Sequence, residues 1–121
     1  MSAGIKWKKR KWEKVNEHIS RKMVKKNHLM MVMYRLDPHQ VWPLEIHEAE
    51  QGGYVFKGKV ELSLPRARKR LLLESGDGYL IESNVPHSWK TLGEETILMD
   101  IFSPPREELL RNKFAPNAVE G

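Results

Sequence analysis

Turn-forming residues divide most of this chain into short segments, and their spacing constrains the fold more than any other feature. They recur about every 8–12 residues, at Gly52-Gly53, Pro65, Gly76-Asp77-Gly78, Asn84 and Gly93. The segments between them are apolar, and the stretch from Val60 alternates apolar with polar side chains, as in VELSL. This rhythm is typical of a β-sandwich or β-barrel. We therefore predict an all-β fold.

Individual segments refine this prediction. SRKMV and HLMMVMYRL flank Lys26-Asn27, which predicts a two-residue hairpin turn because Asn tolerates positive φ. The tail, SPPREELLRNKF, instead predicts a helix with Ser103 as its N-cap and Pro104 in its first turn. Spacing alone also permits a helix near the N-terminus, through Trp12, Val15, Ile19 and Met23.

The length of 121 residues predicts one domain, but its charge is uneven. Residues 1–26 carry ten Lys and Arg against two Glu, a net charge of +8, so the remainder carries −3. We divide the chain into a basic arm (1–19), a β-barrel domain (20–110) and a C-terminal tail (111–121). Cations around Trp7 and Trp12 could contact nucleic acid. We interpret the arm instead as a solubilising terminus whose aromatic side chains pack on the domain, without a nucleic-acid partner.

Several protein classes are disfavoured by composition. The sequence has no cysteine, which removes disulfides and thiolate metal sites and fits a reducing cytosol. No apolar stretch approaches the roughly 20 residues of a membrane span, and the N-terminal stretch has no apolar signal-peptide core. We therefore expect a cytoplasmic protein with no membrane partner.

Residues 43–58, PLEIHEAEQGGYVFKG, concentrate polar residues of the kind that bind metals. In a strand, Glu45 and His47 share one face, whereas Ile46 and Glu48 share the other. Two such residues on one face are a common beginning of a metal site. An exposed strand would carry the same pair, so the pair by itself leaves both interpretations open.

The spacing beyond this pair resembles that of the cupin family of small jelly-roll β-barrels. Counting back from Gly58, the three ligand positions of the first cupin motif fall on Glu45, His47 and Gln51, and its opening glycine falls on His39, a mismatch. The second motif falls on Gly76, Glu82, Asn84, His87 and Thr91. Asn in place of the usual glycine is reasonable at a turn that needs positive φ.

This resemblance implies a jelly-roll barrel and one divalent transition metal, whether zinc, nickel, manganese or iron, bound by Glu45, His47, Gln51 and His87. The usual family set has three imidazoles and one carboxylate. Here two imidazoles, one carboxylate and one amide keep the same total charge, with the acid moved to the first position. Such a set suits these metals. A site that kept its shape and lost its ion is the alternative.

The C-terminal end resembles small cupins of pectin and alginate breakdown, which linearise 4,5-unsaturated uronates. The shared pattern is an aspartate, an aromatic residue two positions on and P-x-R-E, here DIFSPPRE. The resemblance implies catalytic roles for Asp100, Arg106 and Phe102: Arg106 binds the substrate carboxylate, Asp100 transfers protons and Phe102 lies against the sugar ring. Trp89 and Tyr34 are expected to line the same substrate pocket.

Three functions follow from these observations. The first is a metal-dependent isomerase or lyase acting on a small acidic sugar or keto acid, the second a cupin dioxygenase, and the third a non-catalytic binding or regulatory module. In a purely structural interpretation, Asp100 and Arg106 form an ion pair that holds the tail helix. Because cupins commonly dimerise through exposed sheets, a homodimer is expected. The other histidines are expected at the surface, at His18, His28 and His39.

Overall fold

The computed structural model describes residues 3–111 and 118–119. These residues form eleven β-strands, one short α-helix and two 3-10 turns, so the predicted all-β fold is confirmed. The strands are β1 (Glu13–Lys14), β2 (Ile19–Lys25), β3 (Met30–Leu36), β4 (Val41–Glu45), β5 (Glu50–Lys57), β6 (Lys59–Leu64), β7 (Lys69–Glu74), β8 (Gly78–Ile81), β9 (His87–Thr91), β10 (Thr96–Ser103) and β11 (Ala118–Val119). Helix α1 spans Glu108–Arg111, and the 3-10 turns span Trp7–Lys9 and Pro65–Ala67.

The strands form two antiparallel sheets. The larger has the order β1-β2-β3-β10-β5-β8 and the smaller the order β11-β4-β9-β6-β7. The C-terminal strand β10 lies between β3 and β5, and β9 lies between β4 and β6. The chain therefore crosses repeatedly from one sheet to the other, as in a jelly roll.

The core lies between the two sheets. Alternate residues of β3 from Met30 to Leu36 are buried because successive side chains of a strand point to opposite faces. They join Leu98 and Phe102 of β10 in one apolar cluster with residues of the smaller sheet, among them Val60 and Leu62. At one end of the barrel the inner faces carry polar side chains instead.

Two residues that replace motif glycines adopt the backbone conformation that glycine favours. Asn84 has a φ of 61°, as predicted, and His39, the mismatch in the first motif, has a φ of 59°. Asn and His are among the non-glycine residues enriched in this region. The turn geometry of both motifs is therefore kept although the glycines are absent.

The N-terminal segment packs on the larger sheet. The centroid of the Trp12 ring lies 4.6 Å from Lys22 Nζ and 4.5 Å from the guanidinium carbon of Arg35. Lys22 Nζ also donates a hydrogen bond of 2.7 Å to the carbonyl of Trp7. The helix that spacing permitted from Trp12 to Met23 is absent, because β1 and β2 pair as antiparallel strands there.

Three local predictions are wrong. The β2–β3 turn is displaced by one residue, since a hydrogen bond from Lys26 N to the Leu29 carbonyl leaves Asn27 and His28 as its two central residues, and Asn27 does not adopt a positive φ. Ser103 ends β10 and donates its hydroxyl to the His28 carbonyl rather than capping a helix. Helix α1 begins only at Glu108, after two consecutive prolines, which lack the N–H that a strand or helix ladder requires. The end of the predicted helical segment, residues 112–114, lies outside the described residues.

The Gly52-Gly53 pair is also not a turn, because both glycines lie inside β5. A Cβ on Gly53 would collide with the ring of Tyr79, which lies directly opposite on β8. Glycine inside a strand often marks such a close approach. Within the described part of the chain, no helix is long and apolar enough to cross a membrane.

Gly58 should be intolerant of substitution. It joins β5 to β6 with a φ of 84°, and a Cβ there would lie 2.5 Å from the Glu95 carbonyl oxygen. Because the left-handed conformation alone costs an L-residue about 1–2 kcal/mol, we expect Gly58→Ala to lower the free energy of unfolding by at least that much in urea titrations. Gly93→Ala is the matched control, since its Cβ would meet no atom within 4 Å. Equal stabilities of the two variants would contradict the prediction.

Candidate metal and substrate site

Five polar side chains are buried at one end of the barrel. They come from β4, the loop after it, β5, β9 and β10, and none is more than 6% exposed. Burial of polar groups is costly unless they are hydrogen-bonded, so such a cluster must be held by specific contacts. Its members are Glu45, His47, Gln51, His87 and Asp100.

Strand register brings these residues together. Glu45 at the end of β4 lies directly opposite His87 at the start of β9. Gln51 near the start of β5 pairs with Phe102 of β10, two positions from Asp100. Glu45 and His47 are both buried, as their shared face predicted, whereas the neighbouring Glu48 is exposed.

Both histidines are held in one tautomer. Nδ1 of His47 lies 2.8 Å from the Ala49 carbonyl oxygen, and Nδ1 of His87 lies 2.8 Å from that of Val85. A carbonyl only accepts, so each Nδ1 donates and each Nε2 keeps its lone pair. This arrangement is typical of metal-binding histidines. Nε2 of His87 is buried without a hydrogen-bond partner among the described residues, so it is available to a ligand.

The amide of Gln51 is oriented by Asp100. Its Nε2 donates a hydrogen bond of 2.9 Å to Asp100 Oδ1, which leaves Gln51 Oε1 3.1 Å from His47 Nε2. Burial, with the charge of Arg106 and the neighbouring His87, lowers the pKa of His47 and favours its neutral form. Two acceptor atoms then face each other, and a cation bound to both would offset their repulsion.

The donor set fits a divalent transition metal. Glu45, His47 and His87 each place one ligand atom within 4.8 Å of the others. Ligands bound at about 2.0–2.2 Å lie up to about 4.2 Å apart, so only small movements are needed. Two imidazoles and a carboxylate, with the Gln51 amide beside them, suit such an ion. These residues could therefore bind a metal.

Glu45 is also held by two donors outside the ligand set. Trp42 Nε1 donates to its Oε1 at 2.7 Å, and Arg106 Nη2 donates to its Oε2 at 2.8 Å. Arg106 Nε donates to Glu108 at 2.9 Å. The ion pairs described for Arg106 are thus with Glu45 and Glu108, and the expected alternative, an Asp100–Arg106 pair, is wrong.

Asp100 lies in an environment suited to proton transfer. Both of its described hydrogen bonds fall on Oδ1, from Gln51 Nε2 and from the hydroxyl of Tyr79. Burial raises the pKa of Asp100 to about 6, although these two hydrogen bonds oppose the shift. A carboxyl group that titrates near neutral pH can both accept and release a proton.

A small cavity joins the predicted substrate residues. Its volume is about 30 Å³, room for a water molecule or two. Its lining includes all five of them, Tyr34, Trp89, Asp100, Phe102 and Arg106, together with Glu45 and Gln51. An outer groove of about 310 Å³ is also lined by Arg106, together with His47 and Glu108. Arg106 therefore lines both the inner cavity and the groove.

Sequence reasoning missed Trp42 and Tyr79, which hold Glu45 and Asp100. Trp42 lies only three residues before Glu45, so its proximity was visible in the sequence, but any buried tryptophan would look the same. Tyr79 had an indirect signal in Gly53, the glycine inside β5 that gives its ring room. The other three histidines are exposed, as expected, at His18, His28 and His39.

A double-sheet barrel with two oriented histidines and a carboxylate at its open end is the architecture of a cupin. The chain belongs to the cupin family, since the Cupin_2 profile, a cupin domain, matches residues 32–102. It is 30% identical over 101 residues to the pectin degradation protein KdgF of Dickeya dadantii, an alignment that covers 82% of this chain and 90% of that protein.

Solved structures agree. KdgF from a Halomonas species has a TM-score of 0.77 and 29% identity, with 84% of this chain and 94% of that one covered. An RmlC-like cupin from Shewanella frigidimarina has a TM-score of 0.80 at 23% identity, with 90% and 96% covered, and supports the fold alone. The resemblance to the pectin-degradation subgroup is thus confirmed.

Loss of His87 should abolish tight metal binding. Removing a group that hydrogen-bonds a metal ligand already lowers metal affinity by about 10–100-fold. Because His87→Ala removes a ligand itself, we expect it to weaken zinc binding by at least about 100-fold in calorimetric titrations of chelator-treated protein. His18→Ala is the matched control, since His18 is exposed and pairs with Asp37. Zinc affinity that is unchanged in His87→Ala would contradict the assignment of this ligand.

Proposed function

We propose that this cupin is a metal-dependent enzyme that linearises a small 4,5-unsaturated uronate. The observation that carries the proposal is that one cavity contains a guanidinium, a carboxyl group that titrates near neutral pH and part of a metal-ligand set. The similarity to a pectin degradation protein supports an acidic sugar as the substrate class.

The reaction is an isomerisation that requires one proton to be removed and one to be added. The C1 hydroxyl loses its proton, C1 becomes a carbonyl and the bond from C1 to the ring oxygen breaks. The ring oxygen then forms a carbonyl with C5, while the electrons of the C4–C5 double bond take a proton at C4. Asp100 is suited to hold the proton between these sites, since Gln51 and Tyr79 fix Oδ1 and no hydrogen bond is described for Oδ2.

Other side chains would bind and orient the sugar. Arg106 provides a planar donor group for the substrate carboxylate. Burial raises the pKa of Tyr34, so its phenol stays protonated and can donate to a sugar oxygen. Phe102 packs against the His47 ring at 5.8 Å and against the Arg106 guanidinium at 5.0 Å, so it also positions both groups. A divalent metal, when bound, would stabilise negative charge that develops on a substrate oxygen.

Asp100→Asn tests the assignment of the proton carrier. Asn can still accept the hydrogen bond from Gln51 but cannot carry a proton, and general acid–base catalysis contributes about 10²–10⁴-fold. We expect kcat on a 4,5-unsaturated galacturonate to fall by that factor, measured as the slower loss of ultraviolet absorbance of the double bond, with zinc uptake retained. Asp37→Asn is the control, since the Asp37 side chain is half-exposed and lies outside the cavity lining. Full activity of Asp100→Asn, or an inactive metal-loaded wild type, would refute the proposal.

We further propose that the enzyme is a homodimer joined along β7. This strand is at the edge of the smaller sheet, and Leu71 and Leu72 are 39% and 55% exposed. Leu71 lies opposite the buried Leu62 but is itself exposed. The inner face of the smaller sheet is therefore uncovered at this edge. An open, apolar edge strand is a template for pairing with another chain.

The sequence of β7, KRLLLE, is complementary to itself. In an antiparallel pair centred on Leu72, Arg70 lies opposite Glu74 of the second copy, and Leu71 lies opposite its Leu73. Opposite residues share a face in such a pair, so Arg70 and Glu74 stay on the outer face with Leu72, whereas Leu71 and Leu73 extend the core. Among the described residues, the ion pair of the Glu74 side chain is a long one, 3.8 Å from Lys59, and exposed pairs of this kind contribute little.

Leu72→Lys should convert the dimer to a monomer in sedimentation-velocity experiments, because it places two lysines opposite each other at the centre of the interface. Leu80→Lys, on the edge strand β8 of the other sheet, is the matched control and should remain dimeric, since Leu80 is 90% exposed and lies outside the proposed interface. A monomeric wild type at tens of micromolar, or a dimeric Leu72→Lys, would exclude this interface.

A further inference from the structure

Glu45 belongs to two sets of contacts at once. Its carboxylate lies within 4.8 Å of the ligand nitrogens of His47 and His87. The same carboxylate forms an ion pair of 2.8 Å with Arg106, and both side chains are only 3% exposed. With Trp42 on Oε1 and Arg106 on Oε2, both oxygens are already engaged. A cation at the ligand set therefore competes for an oxygen that now binds a donor.

This competition affects Arg106, the residue available to a carboxylate ligand. Arg106 lines both the inner cavity of about 30 Å³ and the outer groove of about 310 Å³. While Arg106 is paired with Glu45, the inner cavity has room for little more than water. A buried carboxylate that shares its charge with a metal ion holds a guanidinium less tightly, because the two cations divide the same negative charge.

We propose that Glu45 couples metal binding to carboxylate binding. In the metal-free protein Glu45 holds Arg106 across the cavity, and a divalent metal at Glu45 releases Arg106 to bind a small sugar carboxylate. The class of this ligand rests on the proposed function. The coupling requires a carboxylate at this position, because a histidine would bind the metal without pairing with Arg106. By linkage, the sugar acid raises metal affinity by the factor by which the metal raises sugar-acid affinity.

Calorimetry with galacturonate, a saturated uronate that lacks the reactive double bond, measures this coupling. We expect galacturonate to bind wild type at least about tenfold more tightly with zinc than without it, within the usual range of coupling between sites. In Glu45→His, zinc should change galacturonate affinity by a much smaller factor than in wild type, because only the part of the effect that acts through Glu45 is lost. Glu94→His is the matched control, at an exposed position that lines neither the inner cavity nor the outer groove, and should behave as wild type. The same zinc dependence in Glu45→His and wild type would overturn the proposal.

Zinc alone tests the competition without any sugar. We expect Arg106→Gln to raise zinc affinity when residue 45 is glutamate and to have a much smaller effect in the Glu45→His background. If this difference is found but galacturonate binds no form of the protein, the competition between metal and Arg106 stands and the proposed substrate class fails. If Arg106→Gln changes zinc affinity equally in both backgrounds, Glu45 does not link the two sites and the inference is wrong.

Discussion

The geometry of the site depends on the two contacts of the Gln51 amide group. Its nitrogen donates to Asp100 and its oxygen faces His47, so one side chain orients the candidate ligand set and Asp100 together. A glutamate at this position could not donate to Asp100, and two buried carboxylates would then lie side by side. Such neighbours cannot both stay ionised in a poorly solvated site. The amide therefore allows Asp100 to lie next to the ligand set.

The position of the ligand carboxylate follows from the same constraint. With a neutral group at residue 51, the negative charge of the set resides on Glu45, whose described hydrogen bonds come from Trp42 and Arg106. Arg106 also neutralises this charge. The change from imidazole to carboxylate at the first motif position and the amide at the third are thus two parts of one electrostatic arrangement.

Much of the fold and site could be predicted because the relevant signals are local. Motif spacing fixed the positions of Glu45, His47, Gln51 and His87, and turn chemistry predicted the positive φ of Asn84. The contacts of Tyr79 could not be read in this way, because they depend on register between β5, β8 and β10, strands distant in sequence. For the same reason, the sequence alone predicts a turn at the glycine pair of β5, because the tyrosine that lies opposite in the sheet is distant in the chain.

At the polar end of the barrel, the hydrogen bonds show which buried polar atom lacks a partner. Among the described residues only two buried side-chain polar atoms lack a partner, Arg21 Nη1 and His87 Nε2. The rest of the Arg21 guanidinium group binds Glu13 and the Leu109 carbonyl, as expected of a structural residue. His87 instead directs its unpaired nitrogen toward His47 and Glu45. A buried polar atom without a hydrogen-bond partner lowers the free energy of unfolding. Proteins keep such destabilising groups where function requires them.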